Sequence, residues 1–208
     1  MMQFFSTPAR IWLGGILLSV LFGLTYNLIS GHGVFDVDTL ALVRWIHIVA
    51  GVLWVGFLYF FIFVQAPAVA AALSDEGGPG PACIQRYLLG RALLWFRWSA
   101  VVTWVAGMLY LGLSEQLLNV FSLGLAANGD GSYGFRMGIG AWLGTILLLN
   151  VWLLIWPNQR KVLGLVPDLE AAEIAAAKAT VAKVGRINAM LSLPMLLFMV
   201  GAQHGVAF

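Results

Sequence analysis

The sequence has few charged residues, a single cysteine and three histidines. Charged residues make up 10% of its 208 residues and apolar residues 61%, whereas roughly 25% of a soluble globular protein is charged. A soluble fold of this composition would expose apolar patches larger than soluble monomers tolerate, which excludes a soluble enzyme. The net charge of +2 is too small for a polyanionic partner, so no nucleic-acid binding is expected. The lone Cys83 excludes an internal disulfide framework and a cysteine-rich metal site.

Long apolar runs fill the chain instead. A membrane-spanning helix needs about 20 mostly apolar residues, and no stretch alternates as a lipid-facing strand would. The sequence therefore predicts an all-α polytopic membrane bundle, with residues 1–208 forming one transmembrane domain. Five spans are predicted, at residues 11–29, 40–69, 93–118, 136–156 and 188–203. Acidic residues early and lysines late in residues 167–184 match a helix dipole and predict a water-exposed cytoplasmic helix there.

The basic residues predict how the bundle is oriented. Arg10 gives the first run a weak signal-peptide character, but the run is too long for one and is interpreted as a retained helix. Arg44 and Arg136 fall on one side of the predicted membrane. Eight basic residues fall on the other, namely Arg10, Arg86, Arg91, Arg160, Lys161, Lys178, Lys183 and Arg186. The positive-inside rule then places the N-terminus in the cytoplasm and the C-terminus outside.

Two of the three histidines are predicted to meet. His47 and His204 each lie near the outer end of a span, at a predicted depth on the order of 5 Å from the helix end. Neutral imidazoles are common axial ligands of haem iron, and bundle cores hold such cofactors. The pair therefore predicts a haem site, with an interfacial polar role for each histidine as the alternative. His32 lies in an outer loop, where solvation alone accounts for it.

The neighbours of these histidines fit a flat ring. Gly51 and Gly201 each lie one turn deeper than a histidine on the same face, where a missing side chain lets a porphyrin approach. Arg44 and Arg136 are candidates to neutralise haem propionates, with snorkelling to the membrane surface as the alternative. Arg97 lies inside a span, where a charge is expensive and usually functional, but it is also within reach of the cytoplasmic headgroups. Gly140 and Gly144 offer either another face for the ring or a helix-packing motif.

Four separated blocks of the sequence resemble, in order, the bacterial membrane-bound urate hydroxylase family (PuuD type). They are Arg44–Gly56; Trp95–Ala100 with Thr103, Trp104 and Gly107; Met137–Thr145 together with Pro157–Lys161; and Ser192–Pro194 with Met199 and His204. The resemblance implies a membrane domain that holds b-type haem between His47 and His204, in the inner membrane of a bacterium. Family members carry a C-terminal cytochrome c domain, oxidise urate and pass the electrons to that domain.

The chain departs from the family pattern at several points. It contains no Cys-x-x-Cys-His before Phe208, so we expect a membrane haem domain without the cytochrome c domain. Ile187 stands where a family histidine is expected, and Arg97 stands where a lysine is expected.

The sequence thus supports a haem b electron-transfer subunit of the respiratory chain, with its haem near the periplasmic face. Its partners would be a c-type cytochrome or respiratory complex subunits, and a homo-oligomer is also open. The alternative is an oxidoreductase that oxidises urate or a related purine and passes electrons to a separate cytochrome. A cofactor-free assembly subunit that packs through Gly140 and Gly144 is the third hypothesis. No catalytic residue is assigned.

Overall fold

Five long helices make up most of the structure, a computed structural model that describes residues 7–33, 35, 37–127 and 131–205. Each of the five is long and apolar enough to cross a membrane, and the described residues form no strand. The predicted all-helical membrane architecture is therefore confirmed. The long helices are α1 (Pro8–Ile29), α2 (Thr39–Ser74), α3 (Ile84–Leu113), α5 (Ser132–Val162) and α6 (Ala171–His204); the short helix α4 is Leu117–Phe121.

The chain divides into two compact units, Met1–Leu42 and Val43–Phe208. The first contains α1, which begins with Pro8 in its first turn, where the missing N–H of proline does no harm. The hydroxyls of Ser19 and Thr25 donate to carbonyls one turn earlier, which satisfies both groups within the helix. No residue of α1 is buried, and its surface is apolar all round.

The second unit contains most of α2 and all of α3 to α6. Its two ends differ, and we name them by the ends of α6. At the Ala171 end, α6 begins; at the His204 end, α6 ends, α3 ends and α5 begins.

The half toward the Ala171 end is filled by side chains. Its core is a cluster of buried apolar residues from all four long helices, in which Phe96 and Leu147 are at most 2% exposed. A polar bridge crosses this half: Asn150 Nδ2 donates to Oδ1 of the buried Asn188, 2.8 Å away, and Asn188 Nδ2 donates to the Leu147 carbonyl, 3.2 Å away. With both ends of its amide bonded, Asn188 is tolerated in an apolar core.

Three turns of the wider π-helix interrupt the long helices, at Phe60–Gln65, Ile84–Leu89 and Asn150–Ile155. Two of them end two residues before a proline, Pro67 and Pro157. Proline lacks the N–H that an α-helix needs, and its ring collides with the carbonyl four residues earlier. A local π turn is a recognised way to absorb such a disturbance, so α2 and α5 continue through their prolines.

At α6, the sequence predicts a water-exposed helix at 167–184 that leads into a span at 188–203. In the structure one continuous helix, Ala171–His204, covers most of both segments. Pro167 lies before that helix. Glu170 caps it, and Glu173 completes a capping box with Glu170. Alanine-rich sequence of high helix propensity follows, and the helix continues through Gly185 without ending.

Candidate functional site

The half toward the His204 end encloses a cavity of about 650 Å³ between α2, α3, α5 and α6. Its walls are mostly apolar, and its volume lies within the roughly 300–1,000 Å³ of sites that hold small molecules or cofactors. His47, His204, Arg44 and Gly51 all line it, so four of the seven predicted site residues come together here.

His47 is held in a single orientation. Its Nδ1 lies 2.7 Å from the backbone carbonyl oxygen of Thr103 on α3. Because a carbonyl only accepts, Nδ1 carries the proton of the neutral ring and donates it, which leaves Nε2 with its lone pair free. A backbone carbonyl bonded to the second ring nitrogen is the arrangement that orients metal-binding histidines.

Gly107 makes that orientation possible. It lies one turn after Thr103 on the same face of α3, and a Cβ built on it would come within 3.0 Å of both Cε1 and Nδ1 of His47. A side chain at this position would push the imidazole away from the Thr103 carbonyl. Gly107 is itself part of the cavity wall.

His204 reaches the same cavity from α6 but is held differently. It is the last residue of α6 and is exposed, and it precedes Gly205 at a φ of 87°. His47, in contrast, lies eight residues after the first residue of α2, or about 12 Å along the helix. The two histidines therefore share one cavity but lie at different distances from their helix ends, whereas the sequence predicts about 5 Å for each.

Arg44 forms part of the wall together with Tyr110 of α3. An Nη2 hydrogen of Arg44 is donated to the Tyr110 hydroxyl over 2.9 Å, and the guanidinium carbon lies 5.0 Å from the centre of the tyrosine ring. This pairing positions a positive charge where the cavity approaches the His204 end, as an acidic substituent of a bound ligand would require.

The glycines predicted to face a ring separate into two groups. Gly51 and Gly144 line the cavity. Gly140 packs against α6, where an added Cβ would lie 2.6 Å from Cγ of Met199, so it serves helix packing. Gly201 is buried but is not part of the cavity wall.

Two predicted arginines lie outside the cavity wall. Arg136, on α5, has its Nε buried without a hydrogen-bond partner in the described part of the chain. Arg97 lies with its guanidinium 3.2 Å from the ring centre of Trp156 and donates from Nε to the Leu93 carbonyl. Arg97 thus stacks on an aromatic ring of α5 within the packed half.

Several further wall residues are not among the predicted site residues. Four methionines contribute soft, flexible side chains to it: Met108, Met137, Met195 and Met199. Trp54, only 3% exposed, has its indole N–H without a partner among the described residues, which leaves a buried donor at the wall. The helical spacing His47, Gly51, Trp54 was the available signal for Trp54, since these residues share a face of α2.

A second, polar cavity of about 690 Å³ adjoins the first at the His204 end. Tyr110 and Gln203 line both cavities. The remaining wall is supplied by the segment that follows α3, including Glu115 and Asn119, and by Tyr133 of α5, which is hydrogen-bonded to the Gln203 side chain.

Comparison with known proteins adds one finding. A family model described as urate oxidase N-terminal matches residues 128–208. The match covers α5 and α6 with Arg136 and His204, less than half of the chain, and supports a urate-oxidase-related link over that stretch. No curated protein and no solved structure matches the chain.

The residues present fit a metal macrocycle better than a bare metal ion. No group of three or more His, Cys, Asp or Glu side chains in the described residues is arranged to hold an ion. A haem needs one or two axial ligands and an apolar slot, with cations for its propionates. The oriented imidazole of His47, the apolar walls and the Arg44 guanidinium supply that donor set within one cavity.

Proposed function

We propose that the chain is a b-type-haem-binding integral membrane subunit that transfers electrons. The observation that carries the proposal is the His47 ring, whose Nδ1 is bonded to the Thr103 carbonyl and whose Nε2 is left for a metal in an apolar cavity. His204 is the proposed second axial ligand, since it lines the same cavity from another helix. Bound there, haem would supply reversible one-electron chemistry at iron.

The protein's own residues determine how that chemistry is used. His47 fixes the orientation of the group, and the apolar walls exclude water and so help to set its reduction potential. Arg44 is the proposed propionate partner, because its guanidinium lies in the cavity wall. Gly51 and Gly144 leave space for the ring edge, whereas Arg136, Arg97 and Gly201 have no place in the cavity wall.

The asymmetric cavity also suggests where electrons enter and leave. The excess of Lys and Arg at the Ala171 end supports placing that end in the cytoplasm, which directs the cavity to the periplasmic face. A c-type cytochrome or a respiratory complex subunit is the proposed partner at that face, in a bacterial inner membrane.

The visible spectrum of the purified protein tests this proposal. We expect a b-type signal in the reduced-minus-oxidised spectrum, with haem identity and content given by the pyridine haemochrome. His47→Ala should abolish the signal. His32→Ala is the matched control, because His32 lies in the first unit, stacked on Tyr26, and should leave the signal unchanged. Colourless wild-type protein would favour the cofactor-free assembly subunit instead.

A second candidate is a urate- or purine-oxidising enzyme that hands electrons to a separate cytochrome. The urate oxidase N-terminal match over residues 128–208 favours it, as does the polar cavity that shares Tyr110 and Gln203 with the apolar one. Adding urate to oxidised, haem-loaded protein distinguishes the candidates. Reduction of the haem by urate would establish the enzyme. An unchanged spectrum would leave electron transfer as the only one of the two functions still supported.

A further inference from the structure

The two histidines of the apolar cavity are supported very differently. His47 is half-buried, in the interior of α2, and is tied to the Thr103 carbonyl. His204 is exposed at the last position of α6, and no described residue holds its ring by a hydrogen bond. A ligand whose ring no hydrogen bond holds, and which lies at a helix end, where helices fray, is the easier one to displace.

The space beside His204 is accessible to small molecules. The polar cavity of about 690 Å³ adjoins the apolar one where Tyr110 and Gln203 form a common wall, and Gln203 directly precedes His204. A small molecule that enters the polar cavity is thereby next to the weakly held histidine. The fixed histidine, in contrast, lies about 12 Å along α2 from its start.

We propose that His204 is an exchangeable ligand, and that its dissociation opens a binding site on the iron for a small neutral molecule such as a diatomic gas. This inference rests on the proposed haem site. The exchange breaks the bond between iron and His204 Nε2 or Nδ1 and forms one bond from iron to the incoming ligand, with no change in electron count. His47 stays bound throughout. The chain then has a ligand-binding function in addition to electron transfer.

The four methionines of the wall offer a competing arrangement. A thioether, from Met199 for example, is also a known partner of histidine on haem iron. In that arrangement His204 would have no role at the metal, and its replacement would leave the spectrum unchanged.

Carbon monoxide is the probe that tests the exchange. Reduced wild-type protein should bind it, with a rate that levels off at high concentration because His204 must leave first. His204→Ala should keep its haem, become five-coordinate and high-spin, and bind carbon monoxide at a rate that rises in proportion to concentration. His47→Ala, in contrast, should contain no haem.

The results that would overturn the exchange differ from those that would overturn the haem site. Wild-type haem that carbon monoxide does not shift, or a His204→Ala protein that stays six-coordinate and low-spin, would overturn it while the haem site itself stands. Colourless wild-type protein before any gas is added would overturn the haem site, and this inference with it. The wild-type rate measurement needs no variant: a rate that stays proportional to concentration would overturn the exchange even where His204→Ala does not fold.

Discussion

Replacing Gly107 by alanine should weaken haem binding by displacing His47. The added Cβ would lie 3.0 Å from Cε1 and Nδ1 of the imidazole, whereas carbon atoms in contact prefer about 3.5–4.0 Å. The ring must retreat by about 0.5–1 Å, which stretches or misaligns its 2.7 Å hydrogen bond to the Thr103 carbonyl. An N–H···O bond weakens beyond about 3.2 Å.

The magnitude follows from what that bond contributes. A neutral hydrogen bond contributes about 1 kcal/mol, or about a fivefold change in a dissociation constant. Loss of a partner that orients a metal-binding histidine typically lowers metal affinity about 10–100-fold. We therefore expect the haem dissociation constant of Gly107→Ala to rise by a factor between about 5 and 100.

Haem titration of apoprotein, followed by absorbance, measures this change. Gly112→Ala is the control on the same helix, because a Cβ there meets no atom within 4 Å. Alanine favours a helix over glycine by about 1 kcal/mol, so neither variant should lose helical stability, and thermal unfolding checks this. Equal haem affinity for wild type and both variants would refute the role assigned to the Thr103 carbonyl and to Gly107.

Three further results are expected. Gly140→Ala should destabilise the bundle by about 1–3 kcal/mol through overpacking against α6. Gly144→Ala, whose Cβ would meet only sulfur and methyl groups at 3.5 Å, should unfold near the wild-type temperature. Equal losses of stability in the two variants would contradict this packing. Asn188→Ala should lower stability by about 1–3 kcal/mol because it leaves the half-buried amide of Asn150 unpaired, and an unchanged melting temperature would argue against the bridge. Cys83, exposed and the only cysteine, should react with a membrane-impermeant maleimide in inverted vesicles and not in intact spheroplasts; the reverse result would invert the proposed orientation.

The number and kind of helices could be predicted from sequence because each is coded by a long apolar run. Their bounds could not, since polar residues at the ends of α3 and α6 continue the helix once its apolar part is packed. Asn188 illustrates this. As a polar residue it predicts the start of a span, but its side-chain amide is hydrogen-bonded to Asn150 and to the Leu147 carbonyl, so it is accommodated inside the helix. The π turns before Pro67 and Pro157 likewise let helices continue where proline predicts an end.

Only part of the candidate site could be predicted from the sequence. His47, His204, Arg44 and Gly51 are recognisable by residue type and spacing, and they do line one cavity. The partner that orients His47 is the backbone carbonyl of Thr103. Because every residue has a backbone carbonyl, the sequence alone cannot identify this partner. Gly107 belongs to one of the four family-like blocks, but the sequence does not show its contact with His47, because that contact depends on which helix packs against α3.

The packed half of the bundle sets a limit on what a redox centre in the cavity can accomplish. Phe96, Leu147 and their neighbours fill the Ala171 end, so a centre held by His47 is within short reach of only one membrane surface. Electrons that arrive and depart across that surface make no net movement through the transmembrane voltage. Turnover of such a relay would neither charge nor discharge the membrane, and its direction would be governed by the potentials of donor and acceptor alone.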